Sequence, residues 1–332
     1  MARQVTDVGI YELGANQIRR FYRGGKRIAS FRGLPATDNA APEDWVASTT
    51  TVHGADELGL SRLEDGTRLA DVLARDPAAF FEPAHRGAFG SDPTILIKLL
   101  DAGERLPVHL HPDDGFAARW LGSQHGKTEA WIILEAEADA TVQVGFARDI
   151  GETELVEMVV ARDPDALLGE LNPVPVAAGD SIFVPAGLPH AIGEGILLLE
   201  LQQPSDLSLL LEWHGMSEAD AFLGLELAGA LSAVTRSGVS PPELEQLRER
   251  RDALLFPQEA DRFFRAELIS GGARLEASFS VLVCYAGEGV LGSEAFDPIA
   301  MGRGSTVLVP FAAGVTELTG SCDAIRCRPP SP

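Results

Sequence analysis

The sequence predicts a mainly β protein of two barrels joined by a small helical connector. Three observations carry this. Short apolar runs of strand length, punctuated by Gly and Pro, fill residues 94–202 and resume from Phe256. Between them, residues 217–255 change character and read as helix. The stretch Gly179 to His190 is echoed by Gly304 to Val315, with Pro310 in the place of Pro185. The expected organisation is a first domain over 1–216, a connector over 217–255 and a second β domain over 256–332.

Taken in order, Gln17 to Arg27 is the one basic cluster; it reads as an exposed hairpin, or else as an attractor of an anionic substrate. Leu69 to Arg75 has helical apolar spacing, and Asp76-Pro77 should end it. Thr94 to Leu100 reads as a buried strand carrying Lys98. Asp113-Asp114 fits a turn after Pro112. Ala140 to Phe146 alternates as a strand, and Pro164 to Leu171 suits one or two helical turns. Ser217 caps a helix that should continue through Leu223, Leu225 and Leu227; Ser240 caps a second, Glu243 to Leu254. Ala266 to Ile269, Phe279 to Tyr285 and Ser305 to Pro310 are the strands of the second domain.

The chain has 332 residues, enough for two substantial cores. Its net charge of −22, from 27 basic and 49 acidic residues, argues against nucleic acid or an anionic membrane as partner. No apolar run reaches the length of a membrane span. Met1 to Asp7 lack the apolar core of a signal peptide. Cys284, Cys322 and Cys327 come late and form no CxxC pair, so a reduced cytoplasmic setting is expected.

The chemistry concentrates in three stretches. In Val108-His109-Leu110-His111 the two histidines share one strand face, while Val108 and Leu110 take the other. Gly126-Lys127-Thr128-Glu129 puts a carboxylate at the head of a strand. The corner Pro185-Ala-Gly187-Leu-Pro-His190 presents a third imidazole. Three imidazoles and one carboxylate can surround a divalent cation and leave room for water or substrate. The competing reading is of buried structural histidines. His53, His85 and His125 read as structural or exposed, and His214 as a loop residue. No His follows His214, so the second barrel cannot hold the same centre.

In order, the runs Ile97 to Ala102, LPVHLHPDD (106–114), GKTEAW (126–131) and PAGLPHAIGEGILLLELQQPSD (185–206) resemble the short bacterial type I mannose-6-phosphate isomerases of the cupin superfamily. The resemblance reaches the whole chain, most weakly at its ends. It implies cupin (jelly-roll) barrels and a zinc-dependent aldose–ketose isomerase, with Mn²⁺, Fe²⁺ or Ni²⁺ as other divalent candidates. The family ligands, a Gln, two His and a Glu, carry over to His109 (in place of the Gln), His111, Glu129 and His190. Lys127 and Glu200 match residues that contact substrate or move protons. Pro42 to Ser48 (PEDWVAS), with its acidic residues and Trp45, resembles an early strand that lies near the family's pocket.

Two positions depart from the pattern. The family's active-site Arg falls on Leu210, and a Ser near its phosphate falls on Pro107. The resemblance therefore implies a sugar isomerase acting on a sugar phosphate or on an altered or unphosphorylated sugar. The alternative is a metal-binding cupin that binds sugar without isomerising it. A monomer or homodimer is expected.

Overall fold

The computed structural model describes residues 8–35, 38–251 and 253–332. Met1 to Asp7, and residue 252 of the expected Glu243 to Leu254 helix, lie outside the described residues. Four antiparallel sheets dominate, with short helices between them. A six-stranded sheet orders Gln17–Ile18, Glu43–Val46, Leu96–Ala102, Ile196–Gln202, Glu129–Ala136 and Ser181–Val184. Facing it, a five-stranded sheet orders Leu209–Leu210, His109–Leu110, His190–Ile192, Thr141–Phe146 and Leu171–Pro175. In the other half, Tyr11–Glu12, Thr306–Val309, Ser280–Ala286, Asp323–Arg328 and Arg265–Ser270 make one sheet. Arg274–Leu275, Thr316–Gly320, Glu288–Ser293 and Ile299–Gly302 make the other. Among the described residues the strand pairings do not close either pair of sheets into a continuous barrel.

Side-chain alternation sets the layers. Leu100, Trp131, Ile133 and Leu198 of the six-stranded sheet pack with Val142, Val144, Leu188 and Ile192 from the facing half of the sandwich. The opposite face of the six-stranded sheet, with Ile97, Leu99, Ile132, Leu199 and Leu201, packs on Val281, Val283, Leu308 and Ile325 of the C-terminal half. Being covered on both sides, Leu96–Ala102 and Ile196–Gln202 are buried at every position, so apart from Lys98, Asp101, Glu200 and Gln202 they read as apolar runs rather than alternating ones. The helices Glu152–Ala161 and Pro164–Gly169, with the 217–234 segment, cover the outer face of the five-stranded sheet through Leu155, Val159, Leu167, Phe222 and Leu231. Among the described residues no helix is long and apolar enough to cross a membrane.

Several local expectations change. The basic cluster is not a hairpin: Gln17–Ile18 is a short strand, and Lys26–Arg32 is a helix. Leu223 at φ 54° and Gly224 at φ 80° interrupt the first connector helix, leaving Glu218–Ala221 and Leu227–Leu231. The second, Pro241–Leu247, stops early. Beyond it the Arg250 side chain bonds Ser181 Oγ and the Gly179 carbonyl, and tertiary contact overrides helix propensity. Asp113 and Asp114 open a helix, Asp114–Trp120, whose cap is the Asp113 carboxylate accepting from Phe116 N–H. Asp76 ends the helix Leu69–Arg75 as expected and also caps the next, Pro77–Phe80.

Candidate metal centre

The three histidines meet. His190 and His109 are directly opposed across paired strands, and His111 follows one residue beyond the strand His109–Leu110. Ring centroids lie 4.2–5.0 Å apart, and one nitrogen from each ring falls within 4.8 Å of the others. Each ring is tethered at Nδ1: His109 to Pro107 O, His190 to Leu188 O and His111 to Leu207 O, all at 2.8 Å. A carbonyl can only accept, so each Nδ1 carries the proton and each Nε2 offers its lone pair to the shared space. The Gly187 corner contributes by donating its N–H to His111 O. Its φ of +84°, with Thr235 Oγ1 2.7 Å from where a Cβ would stand, explains glycine there.

Glu129 completes the set, its Oε2 3.0 Å from His111 Nε2 and its Oε1 3.4 Å from His190 Nε2. The indole Nε1 of Trp131 donates to Oε1 at 2.9 Å. His190 Nε2 is buried without a hydrogen bond, as expected of a lone pair reserved for a cation. The Lys127 ammonium stands 2.8 Å from both His111 Nε2 and Glu129 Oε2 and so marks the place where positive charge is held. Burial keeps all three imidazoles below their ordinary range; Lys127 adds to this at His111, which is pushed down to about 3. They are therefore neutral ligands near pH 7. The donor set fits a divalent cation.

From Glu129 an alternating chain of buried charges runs across the sheet. Lys127 Nζ lies 3.4 Å from Glu200 Oε1, and Lys98 Nζ lies 3.4 Å from the same oxygen. Lys98 reaches Glu43 at 3.8 Å, Arg20 Nε bonds Glu43 at 3.0 Å, and the Arg20 fork grips Asp206. Strand register builds this row. Trp45, Lys98, Glu200 and Trp131 are successive cross-strand partners, and both Lys98 and Arg20 lie over the Trp45 ring, at 5.1 and 5.7 Å. Burial raises the Glu200 carboxyl above the ordinary range and Glu129 raises it further, against the pull of Lys127 and Lys98. Burial alone would lower Lys127, but Glu129 and Glu200 raise it, so it stays protonated.

All six residues singled out in the sequence thus stand together, His109, Lys127, Glu129 and Glu200 lining one pocket with His111 and His190 against them. The sequence offered Lys98 and the Arg20 cluster only as alternative sources of positive charge, placed Glu43 only within a stretch that resembles the family, and pointed to no role for Tyr22, whose hydroxyl donates to Glu43. A usable signal existed at Lys98, an ionisable residue inside the apolar run Leu96 to Leu100, which requires a buried partner. Leu210 lies opposite His109 in the adjacent strand, and Pro107 lines the same pocket. His85 is buried and stacked on Phe81, His125 pairs with Asp92 at 3.8 Å, and His53 and His214 are exposed. An open cleft of ≈ 520 Å³ lined by Thr49, His53 and His125 lies behind Asp206 and Leu207 and contains none of the ligands.

No protein-family model matches the chain. It is 30% identical to the mannose-6-phosphate isomerase ManA of Bacillus subtilis over 312 residues, 91% of this chain and 93% of that one. It is 34% identical to a mannose-6-phosphate isomerase of Streptococcus mutans over 195 residues, 58% of this chain and 57% of that one. A crystal structure of the mannose 6-phosphate isomerase from Bacillus subtilis superposes with a TM-score of 0.78 at 24% identity, covering 97% of this chain and all of that one.

Proposed function

The chain belongs to the mannose-6-phosphate isomerase family, and on that premise we propose that it is a metal-dependent aldose–ketose isomerase. The observation that carries the proposal is the trio of tethered imidazoles facing Glu129, with the buried acid–base pair Lys127 and Glu200 beside them. His109, His111, Glu129 and His190 would hold the cation; Zn²⁺ is the family's expectation, and Mn²⁺, Fe²⁺ or Ni²⁺ also suit three imidazoles and a carboxylate. Bound there, a divalent cation supplies Lewis-acid polarisation of a substrate carbonyl.

The remaining work falls to the chain. Isomerisation removes the proton on C2 of the aldose and moves the C–H electron pair into a C1–C2 double bond while the C1=O π pair passes to O1, which takes up a proton; O2 then gives up its proton as the C2=O bond forms, and the C1–C2 π pair takes the first proton back at C1. The base must be deprotonated when it begins and must hold the proton between the two steps. Glu200, with its raised carboxyl, suits that role. Lys127 does not, because its neighbours keep it charged; it serves instead as a donor to the substrate oxygen that gains negative charge. Trp131 and the Nδ1 tethers fix the orientation of the ligands. The protein acts in the cytoplasm, where Cys284, Cys322 and Cys327 would persist as free, buried thiols. The test is ketose formation from a panel of free and phosphorylated aldoses, with the protein loaded with each divalent metal and after chelation. No ketose from any sugar with any metal refutes the reading.

A further inference from the structure

Resting on the isomerase reading, we propose that the substrate is a neutral, unphosphorylated aldose. The argument is one of charge and surface. Three cations line the metal pocket among the described residues: Arg20, Lys98 and Lys127. Each lies between two carboxylates: Lys127 between Glu129 and Glu200, Lys98 between Glu200 and Glu43, Arg20 between Glu43 and Asp206. Four acids against three bases leave one net negative charge before any cation binds. The Arg20 guanidinium is held from both sides, Nε by Glu43 and the Nη fork by Asp206, which uses the geometry that would grip a phosphate.

The rest of the wall offers a phosphate even less. Phe21, Leu106, Pro107, Ile192 and Leu210 are apolar; the hydroxyls are those of Ser208 and of Tyr22, which donates to Glu43. The Ser208 hydroxyl itself faces His111 Nδ1 at 3.3 Å. A dianionic phosphate placed against this wall would lose its water, gain no charge-assisted partner and stand near four carboxylates. A sugar hydroxyl has little to lose there, and the C–H faces of a pyranose suit an apolar surface. A divalent cation held by His109, His111, Glu129 and His190 would turn this balance to one net positive charge, but the carbonyl end of the sugar needs that cation, and every side-chain cation of the wall keeps its two carboxylates.

The test uses the full chain loaded with zinc or manganese. Ketose formation is measured with free mannose, other free aldohexoses and mannose 6-phosphate. Calorimetry with mannose, mannose 6-phosphate and inorganic phosphate runs in parallel. The expected result is a kcat/KM for the best free aldose about tenfold or more above that for mannose 6-phosphate. KM for the free sugar should not change with ionic strength, and 10 mM-scale inorganic phosphate (on the order of a typical KM ceiling or above) should not inhibit. A tenfold preference for mannose 6-phosphate overturns the inference and leaves the isomerase reading intact. If no sugar is isomerised, that reading falls by itself, and calorimetry still decides the question of charge: tighter binding of mannose 6-phosphate than of mannose overturns it. Leu210→Arg, checked for retained metal, should shift the ratio toward the phosphorylated sugar.

Discussion

Glu43 is the pivot of the charge chain, and its removal has a calculable cost. Its carboxylate accepts from Trp45 Nε1 at 2.7 Å, from Arg20 Nε at 3.0 Å and from the Tyr22 hydroxyl, and faces Lys98 at 3.8 Å. Glu43→Ala leaves two buried cations with one partner each and two buried donors with none. Breaking a buried ion pair from one side costs about 3–5 kcal/mol, a large share of a total of about 5–15 kcal/mol. With a urea m-value of about 2–3 kcal/mol/M the midpoint should fall by about 1–2 M at unchanged m. The pH dependence is a second reading of the same contact. Burial alone would raise this carboxyl, but Arg20 and Lys98, with the bonds from Tyr22 and Trp45, hold it well below the ordinary range. A depressed carboxyl stabilises the fold fully above its unfolded pKa and loses that contribution as the pH falls toward the folded value. The stability gap between wild type and Glu43→Gln should therefore narrow by about 1–2 kcal/mol between pH 6 and pH 3. Urea titrations at both pH values provide the assay. A midpoint shift in Glu43→Ala below about 0.5 M, or a gap to Glu43→Gln that does not change with pH, would refute the reasoning.

Three further outcomes are expected. His111→Ala and His190→Ala should be purified with less than a tenth (about one pKa unit's worth of binding, roughly 1.4 kcal/mol or more) of the wild-type metal, measured by elemental analysis; full occupancy in both contradicts the ligand assignment. Glu200→Gln should keep its metal and lose about 10²–10⁴ in kcat, so a variant of normal kcat rules out Glu200 as the base. Burial pushes the Cys284 thiol up to about 12 and raises Cys322 and Cys327 as well; the native protein should resist a thiol reagent at about pH 8 and expose three reactive thiols in denaturant, and rapid native labelling counts against the packing of that core.

Local patterns revealed the centre itself. His109 and His111 are two apart on a strand, His190 follows a Gly–Pro corner, and Glu129 heads a strand, so each is legible within a dozen residues. The chain of charges was not, because it is a product of register. Positions 45, 98, 200 and 131 become neighbours only once the strand order is known, and that order skips along the sequence. Arg20 escaped notice for a related reason. A run of arginines looks solvated until one of them is found facing Asp206, 186 residues away. The connector helices were overcalled where Leu223 takes a left-handed conformation and where arginines are drawn to Ser181 and Asp261.

The strand Tyr11–Glu12 forms the edge of the C-terminal sheet, pairing with Leu308 and Val307, and Thr306 Oγ1 donates to Leu13 O across 293 residues of chain. On the ribosome, at roughly 5–20 residues per second, that partner is made about 15–60 s after the strand itself. Throughout that interval Thr306–Val309, the strand that pairs with Tyr11–Glu12 in the folded sheet, is still to be made. A strand made late thus captures one made 293 residues earlier, and a product halted before residue 306 would lack the strand that ties Tyr11–Glu12 into the C-terminal sheet.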